Sequence, residues 1–224
     1  MIDPRSRSSH LVGTARKGYK GSASRIAFVQ EALADFHATA SIIPSSRYLA
    51  RAMVKPLPLE EAEVVVEFGP GTGVMTRHLL ELIPTDARIL AFEINPRFVN
   101  YLQAEINDPR LEIVASGAEN AELELRRRGY RRVDAVLSSL GFGMMDESTC
   151  HEIMQGLMPF LDERSVFTQF QYLHGLRWFQ NNGKGKHKVE FFDLRVLLGD
   201  YFRTVRTSIV WRNVLPARVM ACRL

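Results

Sequence analysis

The run VVVEFGPGTGVMTRHLL, residues 64–80, most constrains what this chain can fold into. A β-branched stretch of strand length stops at Gly69, and an amphipathic helical pattern starts after Gly73. Gly69, Gly71 and Gly73 allow backbone conformations and close approaches that a Cβ would block, so a ligand can lie against the main chain at the strand's carboxyl end. Glu93 stands 20 residues after Gly73, at the end of the next β-branched run. An acid there can accept hydrogen bonds from both hydroxyls of an adenosine ribose.

From Glu63 onward such runs alternate with helical segments. The pattern predicts strands over 63–68, 88–93, 110–115, 132–138 and 166–171, with helices between them. This is the signature of an α/β fold, a Rossmann-like, mostly parallel sheet with helices on both faces. The end of the chain differs: after a helix over 189–198, strands over 203–211 and 217–223 are separated by too short a turn for a crossover, so they form an antiparallel hairpin. Ahead of the sheet, residues 1–24 are predicted to be a flexible basic arm. Residues 25–55 form N-terminal helices, serving as a lid or a membrane contact, the second one capped by Ser45 or Ser46. The core domain spans 56–224.

Net charge is +4, but the two ends are far more basic than the middle: residues 1–25 carry +5 and residues 164–224 carry +8. Such ends suit nucleic acid or anionic lipid, or are a solvated surface. No apolar run reaches the length of a membrane span, and the first ten residues lack a secretory signal's apolar core, so a cytoplasmic location is expected. Cys150 and Cys222 have no metal-ligand spacing and are read as buried thiols, and no metal is expected.

The glycine spacing also separates cofactors. A nicotinamide fingerprint reads G-x-G-x-x-G, whereas here the third glycine comes one residue early and Val74 holds the later place. Glu67, inside the strand end, needs a cationic partner if buried. Both points favour S-adenosylmethionine, whose amino-acid end is zwitterionic, over a dinucleotide.

E-F-G-P-G-T-G at 67–73, F-E-I-N-P at 92–96 and the terminal hairpin together resemble a class I methyltransferase, over residues 42–224. The resemblance implies a seven-stranded sheet with an antiparallel last strand. Three further segments are similar to bacterial phospholipid N-methyltransferases, relatives of ribosomal RNA adenine dimethylase-like proteins: I-I-P-S-S-R-Y-L-A-R-A-M (42–53), F-Q-Y-L-H-G-L-R-W-F (170–179) and V-W-R-N-V-L-P-A-R-V (210–219). It further implies that Glu67, Gly69, Gly71 and Gly73 hold the methionine moiety, Glu93 the ribose, and Ile94 and Asn95 the adenine. Ser45, Pro70, Thr72 and Ser138 are counted with them. Gly117-Ala118-Glu119 stands where such enzymes have Gly-Asp-Ala, so Glu119 or a main-chain amide replaces the adenine-binding Asp. The stretch after the fourth strand, Ser138 to Phe142, lacks the Asn or Asp and the prolines that hold a planar adenine, which weighs against nucleic acid as acceptor.

The function expected is therefore N-methylation of an aminolipid headgroup, phosphatidylethanolamine or similar, by an enzyme peripheral to the inner membrane face. The alternatives are an RNA adenine N-methyltransferase and a non-catalytic binder of cofactor and membrane. A protonated lipid amine must lose a proton; the candidates beside the methyl group are Tyr172, His174 and Glu119, or water. Headgroup phosphate calls for guanidinium or ammonium partners, with Arg177, Lys184, Lys186, Arg212 and Arg218 as candidates. The sequence leaves the oligomeric state open.

Overall fold

The alternation of β-branched and amphipathic segments folds into one seven-stranded sheet in this computed structural model, which describes residues 46–173, 193–213 and 215–224. The strands are β1 (Val64–Phe68), β2 (Arg88–Phe92), β3 (Leu111–Val114), β4 (Ala135–Ser138), β5 (Val166–Tyr172), β6 (Thr204–Val210) and β7 (Ala217–Arg223). Their order is β3-β2-β1-β4-β5-β7-β6. β1 to β5 pair in parallel, and β7 runs antiparallel to both β5 and β6. The expected fold class is the observed one.

Six α-helices accompany the sheet among the described residues: α1 (Arg47–Val54), α2 (Val74–Leu82), α3 (Pro96–Glu105), α4 (Ala121–Arg127), α5 (Glu147–Leu157) and α6 (Leu194–Tyr201). Their starts follow from local chemistry. Asn95 caps α3 by accepting from the Arg97 N–H, with Pro96 at the first helical position, where no amide partner is needed. Asp146 caps α5 through the Thr149 N–H, and Asp193 caps α6 through that of Arg195. That cap sets α6 later than the predicted 189–198, of which 189–192 lie outside the described residues.

Alternation along the strands divides the core in two. Val64, Val66 and Phe68 of β1 join a cluster with Leu125 of α4, Ile153 of α5 and Leu197 of α6. Val65 faces the other way, into a cluster with Leu49 and Met53 of α1 and Leu79 of α2. Helix α1 thus shares a core with the sheet, and its cap is Ser46, whose Oγ accepts from the Leu49 N–H. Both thiols are buried, Cys150 in α5 and Cys222 in β7, and burial pushes each up to about 12, so neither ionises near neutral pH. No helix among the described residues is long and apolar enough to cross a membrane. No group of three or more His, Cys, Asp or Glu side chains that could hold a metal ion occurs among them either.

Candidate functional site

Strand register sets up a ledge at the carboxyl ends of the parallel strands. Phe68 pairs with Phe92 on one side and Ser138 on the other; Phe92 pairs with Val114, and Ser138 with Gln169. Gly69, Glu93, Ala115 and Ser139 therefore leave the sheet along one line, the position where open α/β sheets take ligands.

The glycine turn is shaped for main-chain contact. Gly73 has φ 76°, and a Cβ there would lie 2.8 Å from both Leu102 Cδ2 and Ile106 Cδ1, so only glycine lets α2 start against α3. Gly71 has φ 56° and donates its N–H to Glu93 Oε2 at 3.1 Å, while the Asn95 N–H donates to Glu93 Oε1 at 2.8 Å. Glu93 is buried, and desolvation raises its carboxyl above the ordinary carboxylate range while the amides of Asn95, Gly71 and Ile94 pull it back. Each oxygen keeps a lone pair for a second donor, which a pair of ribose hydroxyls would supply.

Glu67 is the unusual group. It lies on the α2 face of β1, fully buried, with Oε2 accepting from the Thr76 hydroxyl at 2.7 Å and Oε1 without a partner among the described residues. Desolvation is the largest cause that pushes it up to about 8, with the neighbouring Glu93 charge adding to it and Thr76 opposing. A buried, half-satisfied carboxyl beside a ligand cleft is complementary to a cationic group. The ammonium of an amino-acid moiety fits it, and Thr76, which the sequence reading missed, completes the site. A polar residue on the buried stripe of VMTRHLL was the available signal.

The ledge continues past β4. Ser138 is buried, and Gln169 beside it donates to the Leu140 and Phe170 carbonyls at 2.8 Å each, holding the Ser139–Gly141 loop. Phe142 is fully buried in the core beneath that loop, so its ring does not face the ledge. Across β5, burial raises the Tyr172 phenol above its usual range while the neighbouring Asn213 side chain pulls it back. Asn213 is also the clasp between chain ends: its Oδ1 accepts from the Ser46 N–H at 3.0 Å, and Ser46 Oγ donates to the Arg212 carbonyl at 3.1 Å.

The other predicted residues are distributed unevenly. Glu119 follows β3, exposed, its carboxylate folded over Gly117, whereas Tyr172 ends β5; with β2, β1 and β4 between them, four strand spacings of about 4.8 Å keep them from sharing one reacting atom. Gly117 and Ala118 are buried beside Glu119, and Ile94 and Asn95 are half-buried after β2. Pro70 is buried and Thr72 exposed in the glycine turn. Arg212 and Arg218 do not converge: Arg212 lies over Tyr48 of α1, while Arg218, in β7, acts on Asp193 at the start of α6. Ser45, His174, Arg177, Lys184 and Lys186 lie outside the described residues.

Known proteins resemble this arrangement. A family model described as ribosomal RNA adenine dimethylase matches residues 39–126. An ornithine lipid N-methyltransferase of Singulisphaera acidiphila is 29% identical over 133 residues, 59% of this chain and 69% of that protein. A ribosomal RNA small subunit methyltransferase A of Caulobacter vibrioides is 40% identical over 72 residues, but these span only 31% of this chain and 27% of that one. Among solved structures, the Burkholderia thailandensis 1,6-didemethyltoxoflavin-N1-methyltransferase, crystallised with S-adenosylhomocysteine, superposes with a TM-score of 0.60 at 16% identity, covering 96% of this chain and 97% of that one.

Proposed function

The chain is a class I S-adenosylmethionine-dependent methyltransferase, and on that premise we propose that it methylates the amine of a membrane-lipid headgroup. The observation that carries this reading is the Trp211–Asn213 turn. It stands at the carboxyl edge of the sheet, tied to Tyr172 through Asn213, and presents Trp211, 67% exposed, beside the exposed Arg212. An indole and a guanidinium side by side at the mouth of a site suit a bilayer interface. The likeness to an ornithine lipid N-methyltransferase supports the same reading.

When bound, the cofactor supplies an already activated methyl group on a sulfonium. The chain's own residues then have to bind, align and exclude water. In this reading Glu67 takes the ammonium of the cofactor's amino-acid end, the Gly69–Gly73 turn its carboxylate, and Glu93 its ribose hydroxyls. Tyr172 is a poor base, because burial holds its proton above the usual phenol range. Its hydroxyl oxygen, beside Asn213, instead orients the incoming amine by accepting one N–H. The ammonium proton leaves to solvent before transfer.

RNA adenine methylation is the second reading, favoured by the matches to ribosomal RNA enzymes. Against it stands Phe142, whose ring is packed in the core and not free to stack on a base. Incubation with methyl-labelled cofactor and a mixture of membrane lipids and RNA tests both. Label in an amine-bearing lipid supports the first; label removed by ribonuclease, with none in lipid, replaces it by the second.

A further inference from the structure

Two guanidinium groups meet at one phenol beside the clasp. Arg47, at the start of α1, donates from Nη2 to the Tyr48 hydroxyl at 3.1 Å, its Cζ 5.1 Å from the ring centroid. Arg212, from the turn before β7, brings its Cζ to 5.6 Å from the same ring, and the two guanidinium groups together hold the phenol below its usual range. Among the described residues no ion pair engages either side chain. The flanking sequence of each is also free of acid: the first turn of α1 has no acidic residue, and 201–224 carry five arginines and no Asp or Glu.

This pairing is built by the fold. The two arginines are 165 residues apart, and the Ser46 N–H to Asn213 and Ser46 Oγ to Arg212 hydrogen bonds hold their main chains together. Two like charges converging on one phenol ring repel each other, and each guanidinium fork keeps open donors. An anion accepting from both relieves the repulsion and uses the donors, and phosphate or carboxylate geometry matches such forks. The α1 amino end adds its partial positive charge.

We infer that Arg47, Tyr48 and Arg212 bind the anionic group of the acceptor's headgroup, a phosphodiester or a carboxylate, while the amine lies toward Tyr172. This rests on the lipid reading above and sharpens it: the enzyme requires an anion at a fixed reach from the amine. Asn213 links the two ends, since it contacts Tyr172 and follows Arg212. A long-chain amine on an uncharged linker has nothing to place between the arginines.

The test uses the full chain, saturating cofactor and two lipids in micelles of uncharged detergent: phosphatidylethanolamine, and a diacyl lipid carrying a primary amine on an uncharged linker. The variants are Arg47→Gln, Arg212→Gln and Tyr48→Phe, each checked for unchanged melting and cofactor affinity. Wild-type protein is expected to show a KM about tenfold lower for the phosphate-bearing lipid, the loss that one charge-assisted hydrogen bond represents. Each arginine variant raises that KM about tenfold with kcat nearly unchanged and leaves the uncharged-linker lipid unaffected. Tyr48→Phe, losing only a hydroxyl, gives a smaller rise. Free phosphoethanolamine competes with lipid in the wild type and loses that ability in the arginine variants, which separates the anion itself from general attraction to a charged surface. Active wild type whose KM is indifferent to the variants, or variants that impair both lipids equally, overturn this site alone. Wild type inactive on every lipid amine overturns the lipid reading and this site together.

Discussion

The Thr76 hydroxyl donates to Glu67 Oε2 at 2.7 Å, while the second carboxyl oxygen of Glu67 is buried with no partner among the described residues. The carboxyl ordinarily titrates at 4.5 and here is pushed up to about 8. Below pH 4.5 folded and unfolded chains both carry the proton; between 4.5 and 8 the unfolded chain releases it and the folded chain keeps it; above 8 the difference is constant. Stability of the ligand-free protein therefore falls as pH rises through this window. Glu67→Gln, close in shape and neutral, should flatten that slope in denaturant titrations. The same group should release a proton when an ammonium binds near pH 7, visible as a buffer-dependent enthalpy in calorimetry and absent in Glu67→Gln. A wild-type slope identical to the variant's contradicts the assignment.

Glu93→Ala removes the acceptor shared by the Gly71 and Asn95 amides and, in this account, the ribose. Cofactor affinity should drop by at least tenfold, since each hydrogen bond to a charged group contributes about 1.5 to 3 kcal/mol. Equilibrium binding of S-adenosylhomocysteine measures it, and unchanged affinity removes Glu93 from the site.

Phe142 separates the acceptor classes. As a core side chain, its replacement by alanine should cost about 3 to 5 kcal/mol of stability. Phe142→Leu, which keeps most of the volume, should fold and retain turnover. A stacking ring would show the opposite: a stable Leu variant that cannot turn over.

The sequence made the sheet legible because its period-two runs and glycine turn are local signals. The predicted strands over 63–68 and 217–223 lie within a residue of β1 and β7, and Glu93 could be placed at the cleft from spacing alone. Long-range relations carried no such signal. The Ser46 to Asn213 hydrogen bond joins residues 167 apart, and nothing in RYLARAMV announces that its first arginine will face Arg212. Arg212 and Arg218 look equivalent in W-R-N-V-L-P-A-R, yet β7 begins at Ala217, and strand alternation turns Arg218 to the α6 side. Phe142 sits in a loop sequence, where its capture by the core of α5 and β5 could not be read from its neighbours.

The most direct test of the account is mass spectrometry of the lipids from a bacterial host whose own lipids are not N-methylated, expressing either this chain or its Glu93→Ala variant. The account predicts a mass increase of one or more methyl groups on an amine-bearing, anion-bearing headgroup with the wild type, and its sharp reduction with the variant. An unaltered lipid profile, from a host in which the folded wild-type protein is present and binds cofactor, would contradict it.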